Sequence, residues 1–516
     1  MSSKETKRIK CPKEWKFVKI VIDNKHILYR KIRKVTKYYY AANVSSSLIN
    51  KDSKVILENA KKEWPFCFSS KLIKENRSHC YLIVPWEIVS ILGLKDKDIL
   101  KFVLGNHVLY GRLRKKCHSH VLLVKTHVKD SLKDKITKVS LTEKMNLDTP
   151  KSNVTLKNID DKHYFDLGYC LPKTTSRDGI PFKVKEISQD SLLICAEFSH
   201  VKGRDFKYIE LPRYIPSEEL MLLLGLMHSD GFKKFGFKEV YNKHIFSPYV
   251  GFTNGDPFVI NLFLKLFEET FNIPKKLFSF NLMYPFELNK KKELYLTRFW
   301  NSYLCSNNIR VYKNEPRTKR WCPAGILKVG IYNILLAEIV ICLLKSLSKW
   351  LTKQNSYKKL LNQFLIGVMI GDGSPILDKG TLRRFMIAIE FREEGELYKT
   401  LLSRIGLVSR NLWPQDEKAT VTYNRKIDIR GPLIFLKEVT NKIPFGFWSN
   451  KTFLGSIEKY YSTLKGLLKH SRLDSIEKKY IKKELKKVGR VYKRYLLTIH
   501  PVLPLSSYYK DVLKNE

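Results

Sequence analysis

The segment EELMLLLGLMHSDGF, Glu218–Phe232, returns in altered form as NQFLIGVMIGDGSPI, Asn362–Ile376. Aligning the Asp-Gly pairs sets Gly225 over Gly367, Ser229 over Gly371, Asp230 over Asp372 and Gly231 over Gly373. Asp230 and Asp372 lie 142 positions apart, one small domain per copy, so the chain carries an internal repeat. Each copy reads as an apolar helix ended by Asp-Gly, with Gly231 and Gly373 suited to a left-handed residue just past a helix end. The pairs Gly225/Ser229 and Gly367/Gly371 are spaced by four, which puts two small residues on one helical face. Small residues let two backbones approach closely. The two helices are therefore expected to pack on each other about a pseudo-twofold axis, with Gly225, Ser229, Gly367 and Gly371 at the contact.

That packing has a chemical consequence. It brings Asp230 and Asp372 to the same end of the pair, at the negative pole of both helix dipoles. Two carboxylates crowded there raise each other's ionisation cost, and a divalent cation removes it. Carboxylates, backbone carbonyls and water are the ligands that magnesium prefers. The candidate metal positions are thus Asp230 and Asp372, with Ser229 and Gly371 preceding them, and the candidate cofactor is Mg2+. A metal so placed can activate water and stabilise charge on a phosphate. The alternative is a pair of core helices with ordinary Asp-Gly ends, which the repetition at domain spacing disfavours.

Charge points the same way. Of 516 residues, 95 are Lys or Arg against 50 acidic ones, a net charge of +45, beyond what solubility needs. Each cation set against a phosphate releases a condensed counterion, so nucleic acid is the natural partner. No basic amphipathic anchor helix is evident, which disfavours a membrane surface. An apolar content of 44% excludes global disorder. Nine cysteines without a CxxC pair argue against a disulfide framework and a zinc ribbon. Cys117-His118-Ser119-His120 reads as a surface strand before it reads as a metal site. The start is charged and polar, unlike a signal peptide. The longest apolar run, Ile331–Leu344, contains Glu338 and falls short of the roughly 20 residues a bilayer needs. A soluble, cytoplasmic protein is expected.

Around the repeat, composition divides the chain. Residues 1–150 form a basic N-terminal region, in which Lys34–Tyr40 mixes cations with tyrosines as a nucleic-acid arm or an ordinary strand. Tyr81–Val84 reads as a strand ended by Pro85, Trp86–Leu92 as a helix stopped by Gly93, Ile99–Leu104 as a strand, and Gly105-Asn106 as a turn before Val108–Leu113. The order VPWEIVSILGLKDKDILKFVL, within about 67–125, resembles the swapped-hairpin, AbrB-like DNA-binding family; another small β-rich module is the alternative. Residues 126–160 are polar and lysine-rich, as in a linker. Residues 151–216 hold strand-like runs at Phe182–Ile187, Ser191–Phe198 and Phe206–Leu211 before Pro212 and Pro216. Lys478-Lys479, Lys482-Lys483 and Lys486-Lys487 recur every four residues in a basic C-terminal extension, 471–516, and mark a helix with a basic face, either solvated or tracking phosphates.

LLGLMHSDG (223–231) and LIGVMIGDG (365–373) resemble the paired motifs of single-chain LAGLIDADG homing endonucleases of the archaeal type. VGFTNGDPFVINLFLKLFEETFNI (250–273) and MIAIEFREEGELYKTLLSRIGL (386–407) are similar to that family's strand–turn–helix segments. The resemblance spans about 215–470. It implies an α+β fold of two pseudo-symmetric half-domains, 217–350 and 357–470, each α-β-β-α-β-β-α, with saddle-shaped antiparallel sheets over the major groove. It also implies that the last acid of each motif binds the metal. His228 and Ile370 depart from the motif at its first aspartate, which is not the principal ligand. Family members often keep a lysine near the scissile phosphate on a late strand of each half; Lys328 and Lys426 lie on such strands, with plain surface lysines as the alternative. The implied activity is magnesium-dependent, sequence-specific cleavage of double-stranded DNA by a monomer. A nuclease-inactive DNA-binding regulator or a maturase on structured intron RNA is the second reading. No cysteine or serine nucleophile stands first and no His-Asn pair last, as intein splicing would need, so a free-standing protein is expected.

Overall fold

The computed structural model describes residues 6–10, 17–22, 26–31, 33–34, 40–45, 55–59, 66–74, 79–104, 107–116, 119–125, 136–145, 148–176, 179–198, 205–231, 249–284, 290–304, 309–313, 325–354, 356–389, 392–412, 426–440 and 457–499. Contacts divide the chain into two compact units, Met1–Leu147 and Asp148–Glu516.

In the first unit, strands Phe66–Lys74, His79–Val84, Ile99–Leu104, His107–Lys116, Ser119–Lys125 and Ile136–Met145 close into an antiparallel barrel. Period-two alternation fills it: Phe68, Leu82, Leu100, Phe102, Leu104, Leu113, Val139 and Leu141 are fully buried. Helix Trp86–Leu92 ends at Gly93, whose φ of 62° is left-handed, where glycine was expected to stop it. The barrel corrects the reading of 126–160 as linker. Ile136–Met145 is the strand that pairs with both Phe66–Lys74 and Ile99–Leu104, and the module extends past the 67–125 segment on its C-terminal side. Only Val139 and Leu141 alternate among its polar residues, too weak a pattern to stand out against lysines. Ahead of the barrel lie two three-stranded sheets; in one, Arg33–Lys34 pairs with Tyr40–Ser45, so the ends of the Lys34–Tyr40 tract are strand. Gly105-Asn106 and Cys117-His118 lie outside the described residues.

In the second unit, the strands expected in the connecting region form as Lys183–Ser188, Ser191–Phe198 and Asp205–Pro212, one antiparallel sheet. A second sheet joins Leu156–Ile159, Lys162–Asp166 and Tyr214–Pro216. Buried Asp166 anchors it, accepting from Arg213 Nε at 3.2 Å and from its own Gly168 amide at 3.1 Å.

The repeat region follows. Its elements are α1 (Ser217–Ser229), β1 (Tyr249–Asn254), α2 (Pro257–Phe271), β2 (Ser279–Tyr284), α3 (Lys290–Leu304), β3 (Ile309–Lys313), β4 (Ile326–Tyr332) and α4 (Ile334–Leu351). They continue as α5 (Lys358–Gly371), β5 (Gly373–Asp378), β6 (Thr381–Ala388), α6 (Arg392–Arg404), β7 (Ser409–Leu412), β8 (Lys426–Arg430), α7 (Pro432–Thr440), α8 (Ile457–Leu468) and α9 (Ser475–Ile499). Mixed α+β architecture is thus present. One four-stranded sheet has the order β1-β4-β2-β3 and the other β5-β6-β8-β7.

The two sheets correspond in three strands each. β1, β4 and β2 match β6, β8 and β7, all antiparallel. The amide of Thr253 donates to the Asp230 carbonyl at 3.2 Å, and that of Ala388 to the Asp372 carbonyl at 3.1 Å, so each helix end is stitched to the same place in its sheet. The counterpart of β5 would fall in 232–248, outside the described residues, although Gly231 bridges Phe252 as Gly373 pairs with Ile387. Between β2 and β4 the first repeat also carries helix α3 and strand β3, the latter parallel to β2; the matching stretch of the second repeat, 413–425, lies outside the described residues. Phe252, Val329, Leu327 and Phe280 face the core from the first sheet, and Phe385, Ile387, Ile427 and Ile429 from the second.

The basic C-terminal stretch is built into this body. Ile481, Val488, Tyr492 and Leu496 bury one side of α9, where the rings of Tyr461 and Tyr492 meet at 5.4 Å. The opposite side exposes Lys479, Lys482, Lys483, Lys486, Lys487 and Arg490, as the four-residue spacing of lysines predicts. No helix among the described residues is long and apolar enough to cross a membrane.

Candidate active site at the crossed motif helices

Helices α1 and α5 cross where both lack side chains. A Cβ added at Gly225 would strike the Phe364 carbonyl and sit 3.0 Å from Gly367 Cα; one added at Gly367 would sit 2.7 Å from the Leu226 nitrogen and 2.8 Å from Gly225 Cα. The neighbours are backbone, which cannot swing aside, so both glycines are needed for this approach. Four residues on, a Cβ at Gly371 would meet the Ser229 side chain and lie 3.0 Å from Asp230 Oδ2. The Asp230 carboxylate therefore rests over the end of the other motif's helix. The Ser229 hydroxyl donates back to the Leu226 carbonyl at 2.9 Å, which leaves its backbone carbonyl as the group it could offer a cation.

Gly231 and Gly373 do not take the left-handed conformation expected of them; positive φ among the described glycines falls elsewhere. Each is glycine for want of space. The chain turns back against the last helical turn, so that a Cβ would come within 2.7 Å of Met227 Cα or Met369 Cα. Asp230 and Asp372 themselves end the helices near φ −98° and −87°, with amides still bonded to Leu226 and Val368.

Three groups not singled out in the sequence complete the site. Asn254 Nδ2 donates to Asp230 Oδ2 at 2.8 Å, while its Oδ1 accepts from the Asp256 amide at 2.8 Å. Asp256 is buried and caps two helices. Its Oδ1 accepts from the amides of Phe258 at 2.8 Å and Val259 at 3.4 Å at the start of α2, and its Oδ2 from the Ile457 amide at 2.9 Å at the start of α8. Burial pushes the Asp256 carboxyl above its usual range, against those three amides and Lys459. Helix α8, so anchored, delivers Lys459. Its ammonium donates to the Gly371 carbonyl at 2.5 Å and to that of Ile370 at 3.4 Å. Burial draws the Lys459 pKa below the ordinary lysine value, opposed by the carboxylates of Asp230, Asp372, Asp256 and Glu458. The Gly371 carbonyl, expected to face a divalent ion, thus faces an ammonium.

A sequence signal for α8 exists in retrospect. Ile457, Tyr460, Leu464 and Leu467 make an apolar stripe, and the face beside it carries Lys459, Thr463 and Gly466 instead of solvent-seeking residues. Gly466 lies against β6, where a Cβ would come 3.0 Å from the Leu382 nitrogen.

His228 turns toward α6. Its Nδ1 and the Tyr398 hydroxyl are 2.6 Å apart, and Glu394 lies 3.9 Å away, which pins α1 to α6 of the other half. Burial, then Glu394 and Asp372, hold the Tyr398 hydroxyl well above its ordinary pKa.

Lys328 and Lys426 occupy equivalent positions. Lys328 pairs in register with Thr253 and Lys426 with Ala388, the two residues whose amides hold the motif carbonyls. Both stand on the sheet face opposite the buried Leu327/Val329 and Ile427/Ile429. The Lys328 ammonium lies 5.1 Å from the Tyr249 ring centroid, and that ring covers Gly251 and Gly330. On the second sheet the same face carries Arg410, Arg430 and Arg384, the last paired with buried Asp428 at 3.3 Å.

No group of three or more His, Cys, Asp or Glu side chains poised for a metal occurs among the described residues. Two carboxylates at helix ends are oxygen donors of the kind that a hard cation such as Mg2+ takes. The chain matches no protein-family model and none of the curated proteins.

Proposed function

We propose that this chain is a LAGLIDADG-type endonuclease that cuts double-stranded DNA, with its two sheets as a saddle on the major groove and one cleaving acid from each half. The observation that carries this reading is the crossing at Gly225 and Gly367, which sets the Asp230 carboxylate over the end of α5 at Gly371. An ordinary pair of core helices has no reason to gather acids at two negative dipole ends. Divalent metal, when bound, supplies Lewis acidity and a water of lowered pKa. The protein's own groups do the placing. Asp230 and Asp372 hold the cation, Asn254 fixes the Asp230 carboxylate, and Lys328 and Lys426 offer ammonium groups to phosphate at matched positions of the two sheets. A surplus of +45 supplies cations that can displace the condensed counterions of DNA. Selection of cleaved sites from a randomised duplex library in magnesium tests the proposal; enrichment of a long, defined site is expected.

One observation favours the second reading, a nuclease-inactive descendant that regulates through DNA or acts on structured intron RNA. Lys459 already places a positive charge on the Gly371 carbonyl beside both acids. Tight binding to a selected site without magnesium-dependent cutting would decide for it.

A further inference from the structure

We infer that Arg384, held from behind by the buried carboxylate of Asp428, is a specificity-determining residue that reads one guanine in the major groove. The inference rests on the proposal that the two sheets lie on duplex DNA.

The open face of the second sheet is cationic. Arg384 on β6, Lys426 and Arg430 on β8 and Arg410 on β7 share it, opposite the core residues Phe385, Ile387, Ile427 and Ile429. Asp428 stands among them, paired in register with Met386 on one side and Arg410 on the other. It is almost fully buried, and a carboxylate in that place is repelled by any phosphate that approaches. Its contribution is to the arginine. Arg384 Nη1 donates to Asp428 Oδ2 at 3.3 Å, while the Arg384 side chain stays 43% exposed. Oδ1 of Asp428 is buried and accepts no hydrogen bond among the described residues, so the tie to Arg384 is what this acid supplies. A guanidinium is a rigid planar fork, so fixing one prong sets the direction of the rest. A loose cation suffices for a phosphate; reading a base edge needs a fixed one. A fork so held matches O6 and N7 of guanine, two acceptors side by side in the major groove.

The first sheet differs at the matched positions. Thr253 corresponds to Ala388, since both amides hold a motif carbonyl, and Lys328 corresponds to Lys426. Counting along the same strands puts Tyr249 in the place of Arg384 and Gly330 in that of Asp428. The Tyr249 ring lies over Gly330 and Gly251. A tyrosine ring offers no fork, so the guanine belongs to the half-site under the second sheet. Some 13 Å of β6 separates Arg384 from Ala388, at about 3.3 Å per residue, so the base is read away from the acids.

The test is selection of bound sequences from a randomised duplex library, run in calcium with the full chain, so that binding is read without cutting. Wild type should prefer G·C at one pair of one half-site. Arg384→Ala should lose that preference by about 5- to 150-fold, the range for a bidentate base contact, with the other positions unchanged. Arg384→Gln should move it toward A·T at the same pair, because a glutamine amide matches N6 and N7 of adenine. Asp428→Asn keeps the shape, leaves Arg384 in place and should relax the preference at that pair alone. A uniform loss of affinity over all sequences in Arg384→Gln, with a shallower salt slope, would mark a phosphate contact and overturn the inference while leaving DNA as the partner. An unchanged preference in Asp428→Asn would overturn the positioning role of that acid. No enriched sequence in wild type would overturn the inference and the saddle reading with it. Should Asp428→Asn fail to fold, the two Arg384 variants still decide whether a base is read.

Discussion

The side-chain amide of Asn254 donates to Oδ2 of Asp230 across 2.8 Å, while the equivalent place beside Asp372 is taken by buried Ile389. The two acids of the repeat are therefore held by different means. Groups that orient a metal-binding carboxylate from behind typically contribute about 10–100-fold to affinity or activity. Asn254→Leu should lower cleavage within that range and weaken Mn2+ binding, with DNA affinity in calcium nearly unchanged. Unchanged cleavage would show that Asp230 needs no such support.

Gly225 and Gly367 face backbone across the helix crossing. Gly367→Ala should force α1 and α5 apart and destabilise the fold by roughly 1–3 kcal/mol, the usual range for overpacking. Gly225→Ala should do the same, and the pair should cost less than the sum, since one displacement relieves both clashes. Denaturant midpoints measure this. Additive losses would mean that the two glycines act separately.

Asp256 offers a pH signature. Its folded pKa is raised by burial, so the folded state binds a proton more readily than the unfolded chain. Stability from this group is full below the ordinary aspartate value, near 4, and is lost as pH rises through the raised folded value. The stability of wild type relative to Asp256→Asn should therefore decline as pH rises across that window. Chemical denaturation at stepped pH reads it; a difference that grows with pH would contradict the burial argument.

Binding should weaken steeply with salt. Each phosphate contact contributes about 0.9 to the slope of log affinity against log salt on duplex DNA. Changing Lys479, Lys482, Lys483 and Lys486 to Gln should lower that slope if the exposed face of α9 meets phosphates. An unchanged slope would leave those lysines merely solvated.

Much of this architecture was legible from two short segments. Small residues at Gly225 and Gly367 implied the helix crossing, and the resemblance put Lys328 and Lys426 on strands, which form as Ile326–Tyr332 and Lys426–Arg430. The matched register of those lysines was not visible, since it depends on which strands become neighbours. Asn254, Asp256 and Lys459 escaped for a related reason. The first two lie in a turn quoted only for its likeness, and Lys459 stands 229 positions beyond Asp230 on a helix read as ordinary. The roles of Gly231 and Gly373 were misread because a helix end followed by glycine usually signals a left-handed residue, whereas here the tight return of the chain excludes a side chain. Ile136–Met145 was hidden by its lysines, although Val139, Leu141 and Met145 are buried in the barrel.

The central claim is that Asp230 and Asp372 act as one catalytic pair, and Asp→Asn substitution at each tests it most directly. Asparagine preserves shape and removes the charge that holds a cation. A metal acts mainly on charge that develops during the reaction, so its loss should affect cutting far more than binding. Cleavage of a selected site in magnesium, with binding measured in calcium, should show double-strand cutting abolished in both Asp230→Asn and Asp372→Asn while affinity changes little. Wild-type cutting rates in either variant would show that these residues only end their helices, and would contradict the account.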